Sequence, residues 1–159
     1  MNNTTLLHHL IAASAARAPQ APALSFAGAT QSYAELDAAL SAFASGLLAL
    51  GLERGERVGI YLDKRPETVT AFFGASAAGG VFVPVNPILK PEQVGYILQD
   101  CNVRVLVTSP ERFAALRDTL AQCHDLRHVV LTGKVETLPE LPGARDRKST
   151  RLNSSHLVI

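Results

Sequence analysis

From Arg57 to Leu131 the chain alternates short apolar runs with amphipathic stretches, and this alternation restricts the fold more than any other feature. The apolar runs occupy 57–62, 81–85, 103–107 and 128–131. Between them lie three helical patterns. One spans 67–78 behind Pro66. One is opened by Pro91 and turns Val94, Ile97 and Leu98 inward. One is opened by Pro110 and carries Phe113, Leu116 and Leu120. A continuous apolar run bounded by charges, such as 57–62, suits a strand buried in a parallel sheet. Strands separated by helices join through right-handed crossovers, which lay them side by side under a cover of helices. The expected fold is therefore α/β, a mostly parallel sheet flanked by helices. Pro84 removes one ladder donor, so 81–85 belongs at an edge or ends there.

The residues before Arg57 add a smaller piece. Leu6, Leu7, Leu10 and Ile11 fall on one stripe of a helix over 5–17, with Thr4 or Thr5 as its cap and Pro19 and Pro22 beyond its end. The run 23–26, a turn at Gly28 and the run 30–33 predict a small N-terminal hairpin. Ser32-Tyr33-Ala34-Glu35 fits a capping box, and Leu36, Leu40, Phe43, Leu47 and Leu50 follow at steps of four, three, four and three. Burying those five side chains would contribute roughly 8–15 kcal/mol before entropy, an upper bound. Gly51 stands where a left-handed cap belongs. Ala71, Gly74, Ala75, Ser76, Ala77 and Ala78 predict a helix pressed close to its neighbours, although Gly74 costs about 1 kcal/mol in helix propensity.

Composition excludes several classes. The 159 residues suffice for one domain with a real core, and 47% hydrophobic against 18% charged residues excludes a disordered chain. Fifteen basic against fourteen acidic residues leave a net charge of +1, so there is no global field to attract nucleic acid. Two cysteines make no disulfide framework. No run approaches the ~20 apolar residues of a membrane span. The first twenty residues lack a basic leader, and His8-His9 interrupts their apolar centre, so the expected location is the cytoplasm. The triplets at Asn2, Asn3 and Asn153 then read as chance glycosylation matches.

Little chemistry is visible. Gly79-Gly80 precedes a strand, whereas a phosphate loop follows one and opens a helix. The turn Asp63-Lys64-Arg65-Pro66 contains no glycine, so a dinucleotide fingerprint is absent. Cys123-His124 with His128 has a metal-like spacing, but Cys101 is too distant to supply a second half and His128 opens a strand. His8-His9 reads as an ordinary helix edge. Asp63, Lys64 and Arg65 follow a parallel strand at its C-terminal end, where open α/β sheets place ligands, and a solvated turn is the competing reading. Asn86 before Pro87 is first a turn former. No serine-histidine-acid or cysteine-histidine arrangement follows from the spacing. The expectation is no catalytic, cofactor-binding or metal-binding residue in this chain.

Three stretches occur in order: Ser32-Tyr33-Ala34-Glu35-Leu36; Arg57-Val58-Gly59-Ile60-Tyr61-Leu62; and Ala77-Ala78-Gly79-Gly80-Val81-Phe82-Val83-Pro84-Val85-Asn86-Pro87. Leu106-Val107-Thr108 follows some twenty residues later. Together they resemble the amino-terminal part of the adenylate-forming superfamily of acyl-CoA synthetases, luciferases and peptide-synthetase adenylation domains. The resemblance covers about residues 5–132. Tyr61-Leu62-Asp63-Lys64-Arg65 with Asn86-Pro87-Ile88-Leu89-Lys90-Pro91 resembles most the AMP-forming acyl-CoA ligases of exosortase systems.

The resemblance implies a two-step reaction. A carboxylate, such as a fatty acid, attacks the α-phosphorus of ATP and releases pyrophosphate, and coenzyme A then displaces AMP, with Mg2+ offsetting phosphate charge. The family performs it with a Ser/Thr/Gly-rich phosphate loop, a ribose-binding aspartate and a lysine on a mobile domain. None of these motifs stands in this sequence, so no catalytic residue carries over. The resemblance makes residues 1–143 an incomplete N-terminal part of the adenylation domain, inactive alone and needing no ATP, Mg2+ or coenzyme A. Asp146–His156 resembles one frame of a translated sequencing-library adapter, which makes 144–159 an unstructured, artefactual tail. The competing readings are a stand-alone binding or interaction module, a fragment of a peptide-synthetase adenylation domain, and a compact nucleotide-binding domain.

Overall fold

The computed structural model describes residues 6–133 and the backbone of Leu157–Val158. It divides into two compact units, Met1–Gly55 with Lys64–Phe82, and Glu56–Asp63 with Val83–Ile159.

The first unit contains α1 (His9–Arg17), an antiparallel hairpin of β1 (Pro22–Phe26) and β2 (Ala29–Ser32), α2 (Tyr33–Ala49) and α3 (Pro66–Ala77). Helix α1 begins later than its apolar stripe suggests. His8 occupies its cap without a side-chain bond, and no residue of the helix is buried. Leu6, Leu7 and Leu10 are exposed. The predicted caps Thr4 and Thr5 lie outside the described residues.

Helix α2 forms as its pattern dictates. The Ser32 N–H donates to Glu35 Oε2 at 2.8 Å, and the Glu35 N–H donates to Ser32 Oγ at 3.3 Å, closing the capping box. The Ser32 N–H, and then its hydroxyl, hold the Glu35 carboxyl below the usual range. Leu36, Leu40, Phe43 and Leu47 are buried. Leu50, the fifth predicted member, is the C-cap and only half-buried, while Ala44 and Leu52 join the core. Gly51 adopts φ +80° as predicted, and Leu52 N–H reaches back to Leu47 O at 3.1 Å. The small-residue face of α3 meets α2 directly. A methyl group on Gly74 would lie 2.6 Å from Phe43 Cδ1 and 3.0 Å from the Leu40 carbonyl oxygen.

The second unit contains β3 (Arg57–Tyr61), the end of β4 (Val81–Pro84), α4 (Pro91–Asp100), β5 (Val103–Thr108), α5 (Pro110–Leu120) and β6 (His128–Thr132). The sheet order is β4-β3-β5-β6, and these four strands are parallel. Pro84 thus stands on an edge strand, where its missing donor leaves no inner ladder broken. Helices α4 and α5 turn Val94, Leu98, Phe113, Leu116 and Leu120 onto Tyr61, Val85, Leu106 and Leu131. Val103, Val105, Leu106 and Val107 are all buried, which is why β5 reads as an uninterrupted apolar run.

Two backbone residues extend the sheet. β7 (Leu157–Val158) pairs antiparallel with β6, Leu131 opposite Val158. The remainder of the expected unstructured tail, 144–156 and 159, lies outside the described residues.

A polar clip ties the N-terminal ends of the strands. Glu56 Oε1 accepts from Arg104 Nε and from Arg127 Nη1, each at 3.2 Å. Arg104 also pairs with Asp125, and Asn102 Nδ2 donates to Asp125 Oδ2 at 2.8 Å. The Asn102 amide first, and Arg104 second, hold the Asp125 carboxyl below its ordinary range.

The Gly74→Ala variant separates propensity from packing. Alanine favours the helix by about 1 kcal/mol, whereas overpacking costs about 1–3 kcal/mol where neither neighbour can retreat. The carbonyl of Leu40 belongs to a helix backbone and cannot retreat, so a lower urea midpoint is expected. A midpoint at or above that of the parent would show that Gly74 is not a packing requirement.

Candidate functional site

The strand order reverses between β3 and β5. The chain passes from β3 outward to β4, then returns past β3 to lay down β5 on its other side. Open α/β sheets leave a crevice at such a point, outside the carboxyl ends of the strands. A shallow cleft of about 390 Å³ lies there, lined by Tyr61, Asp63, Pro91, Ser109, Glu111 and Arg112 among others. The buried Thr108 hydroxyl donates to the Tyr61 carbonyl at 2.9 Å and so joins the two strand ends.

Arg112 organises the cleft. Its Nη2 donates to Asp63 Oδ1 at 2.6 Å and its Nη1 to the Pro87 carbonyl at 2.9 Å. Its guanidinium carbon lies 4.5 Å from the centroid of the Tyr61 ring, a cation–π distance. The Tyr61 hydroxyl in turn donates to the Leu89 carbonyl at 2.9 Å. Ser109 caps α5, its Oγ accepting from the Arg112 N–H at 3.3 Å.

This donor set does not fit a nucleotide polyphosphate. Two carboxylate residues, Asp63 and Glu111, line the cleft with one basic residue, Arg112, whose guanidinium already donates to Asp63 and Pro87. Among the described residues, no three His, Cys, Asp or Glu side chains gather closely enough to hold a metal ion. No reaction step is derived through ATP or Mg2+ at this cleft.

The residues singled out in the sequence are dispersed. Of Asp63, Lys64 and Arg65, only Asp63 lines this cleft. Lys64 is exposed. Arg65 forms a two-pronged pair with Glu67, at 2.9 and 3.1 Å, in the first turn of α3. That pair borders a separate hollow of about 240 Å³ in the first unit, beside Leu24, Phe26 and Thr30. Asn86 does what its Pro neighbour suggests: its Oδ1 accepts from the Ile88 N–H at 3.1 Å and shapes the turn.

Cys123 is buried, its thiol directed at the Thr119 carbonyl at 3.6 Å, and burial pushes its pKa up. His124 is exposed beside it and His128 is half-buried. Both cysteines are free. His8 and His9 meet edge to face at 4.6 Å between ring centres. Burial first, and the neighbouring His9 second, lower the pKa of His8. Its Nδ1 is buried with no hydrogen-bond partner among the described residues.

Arg112 was not legible as a site residue. Its nearest signal is its place in the first turn of a helix that follows a parallel strand. Its partner Asp63 is 49 positions away, and only the pairing of β3 with β5 makes them neighbours.

Comparisons with known proteins fix the family. The chain matches the AMP-binding enzyme family over residues 11–156 and belongs to it. The match runs past Thr132, where the resemblance was expected to end, and takes in Asp146–His156, for which no counterpart was expected. The chain is 39% identical over 114 residues to the AMB antimetabolite synthetase AmbB of Pseudomonas aeruginosa, covering 70% of this chain and 9% of that protein. It is 34% identical over 128 residues to a crotonobetaine/carnitine–CoA ligase of Salmonella paratyphi B, covering 76% of this chain and 24% of the ligase. The chain thus spans about a quarter or less of the length of these curated relatives. Its fold superposes on the anthranilate CoA ligase AuaEII in complex with anthranoyl-AMP with a TM-score of 0.75 and 26% identity, covering 78% of this chain and 24% of that one.

The burial of Cys123 yields a direct expectation. A buried thiol with a raised pKa is inert, because the thiolate is the reactive form. Alkylation of the native chain, followed by mass spectrometry, should modify Cys123 only after unfolding. Rapid native labelling of Cys123 would place its thiol in a reactive, accessible environment instead.

Proposed function

We propose that residues 1–143 are the N-terminal part of the adenylation domain of a longer AMP-forming ligase, working in the cytoplasm, that joins a carboxylic acid to coenzyme A through an acyl-adenylate. The observation that carries this reading is the likeness, over most of the chain, to a quarter of a CoA ligase, matched in fold by a CoA ligase holding an acyl-AMP. The described residues then act as scaffold. The parallel sheet fixes the strand ends, α4 and α5 bury one of its faces, and the ends of β3 and β5 with the first turns of α4 and α5 line the cleft. Nucleotide, metal and coenzyme A belong to the longer enzyme, since the donors of this cleft do not suit a polyphosphate. Among the described residues no helix is long and apolar enough to cross a membrane.

Within that class we read the subgroup as the ligases of exosortase systems, supported by Tyr61-Leu62-Asp63-Lys64-Arg65 and Asn86-Pro87-Ile88-Leu89-Lys90-Pro91 as they stand in the sequence, and we take a fatty acid as the substrate to be tried first. The likeness to AmbB, a synthetase, favours a second reading, a part of a peptide-synthetase adenylation domain.

The purified 159-residue chain should release no pyrophosphate from ATP with any carboxylic acid, whereas the longer enzyme should do so with fatty acids. Turnover by the chain alone would overturn the scaffold reading, and selective turnover of amino acids by the longer enzyme would favour the second.

We read Asp146–His156 as adapter-derived on its sequence alone, although the family match extends across it. Genomic DNA beyond the codon for Gly143 tests this. An open frame leading to a Ser/Thr/Gly-rich loop supports the reading, and the same tail codons in the genome would refute it.

A further inference from the structure

The segment 86–90, between β4 and α4, has almost every backbone polar group engaged. The Ile88 N–H is held by Asn86 Oδ1 at 3.1 Å, the Leu89 N–H by the Asn86 carbonyl at 3.1 Å, and the Lys90 N–H by Gln93 Oε1 at 3.0 Å. These bonds are local and shape the turn without fixing it to the sheet. Two side chains from elsewhere in the second unit do that. Arg112 takes the Pro87 carbonyl, and Tyr61 takes the Leu89 carbonyl. Between the two anchored carbonyls stands Ile88, with 83% of its surface exposed.

The two anchors are not independent. The Arg112 guanidinium lies over the Tyr61 ring, so it orients the very side chain that makes the second bond. We propose that Arg112 is the positioning residue of the 86–90 loop, clamping it to the ends of β3 and α5 beside the cleft so that the loop, with Ile88 at its tip, keeps one conformation. Three features require arginine here. The planar guanidinium stacks on the ring while its edge donates in two directions, one prong to Pro87 and one to Asp63, and an ammonium cannot do both. The ion pair with Asp63 is the lesser part. The Asp63 side chain is 71% exposed, and an ion pair open to solvent contributes little. The bond to Pro87 and the stacking on buried Tyr61 carry the clamp.

This inference rests on the geometry of the second unit and is independent of the ligase reading. The experiment is residue-resolved amide hydrogen exchange on the 159-residue chain and its variants. The Ile88 and Leu89 amides report opening of the loop, and those of Leu106 and Val107 in β5 report opening of the sheet. In Arg112→Ala the loop amides should exchange on the order of tenfold faster, the loss expected of one hydrogen bond to a charged group, while the β5 amides keep their rates. Arg112→Lys should fail to restore the loop, and Asp63→Asn should leave it unchanged. Should the alanine variant not fold, the lysine variant gives the same comparison in a chain that keeps its charge. Unchanged loop rates in a folded Arg112 variant would overturn the assignment. So would equal acceleration of loop and β5 amides, or an effect of Asp63→Asn as large as that of Arg112→Ala.

Discussion

The parallel pairing of β3 with β5 is the contact on which the second unit depends. It places Ile60 opposite Val107 and Tyr61 opposite Thr108, residues 47 positions apart in the chain. Loop closure over such a distance costs entropy that nothing local repays. The return comes from apolar burial, since Val58, Ile60, Val105, Leu106 and Val107 are all withdrawn from solvent. Once that pairing exists, the Thr108 hydroxyl closes on the Tyr61 carbonyl, and the strand ends that carry Asp63 and Ser109 lie side by side. The cleft is thus a product of strand order. A sheet that ran β3-β4-β5 in sequence would separate the same residues by a strand.

Polar chemistry sits at both ends of this sheet and differs in kind. At the N-terminal ends, Glu56, Arg104, Arg127, Asp125 and Asn102 form a clip whose members satisfy one another. At the C-terminal ends, Arg112 satisfies a backbone carbonyl and lies on an aromatic ring, leaving a concave surface beside it. The first arrangement joins strand to strand. The second shapes a loop next to a cleft.

The elements themselves were legible because each announces itself over a few residues. The capping box at Ser32–Glu35 and the apolar steps from Leu36 to Leu47 fix α2 with no reference to the rest of the chain. The uninterrupted run of β5 and the three residues Phe113, Leu116 and Leu120 of α5 behave the same way. The reading fails where a local signal lacks a local cause. The stripe Leu6, Leu7, Leu10 has helical spacing, yet the helix starts at His9, because nothing described caps it earlier and no burial draws the leucines inward. Leu50 continues the spacing of α2 but falls at the cap, where the backbone already turns away toward Gly51.

The amino-acid sequence alone determined the order of strands and helices from α1 to β6, the α/β class, and that the strand bearing Pro84 lies at an edge or ends there, a choice the sheet order then made. These are properties of short windows: periodicity, caps and breakers act within a few residues. Only the tertiary structure decided that Asp63 joins Arg112 while Arg65 turns to Glu67, that Tyr61 and Arg112 converge on the loop after β4, and that Cys123 is sealed away from His124's exposed surface. Those outcomes depend on which strands become neighbours, and neighbourhood is set by the summed burial of side chains distant in sequence, a quantity that no window of the chain contains.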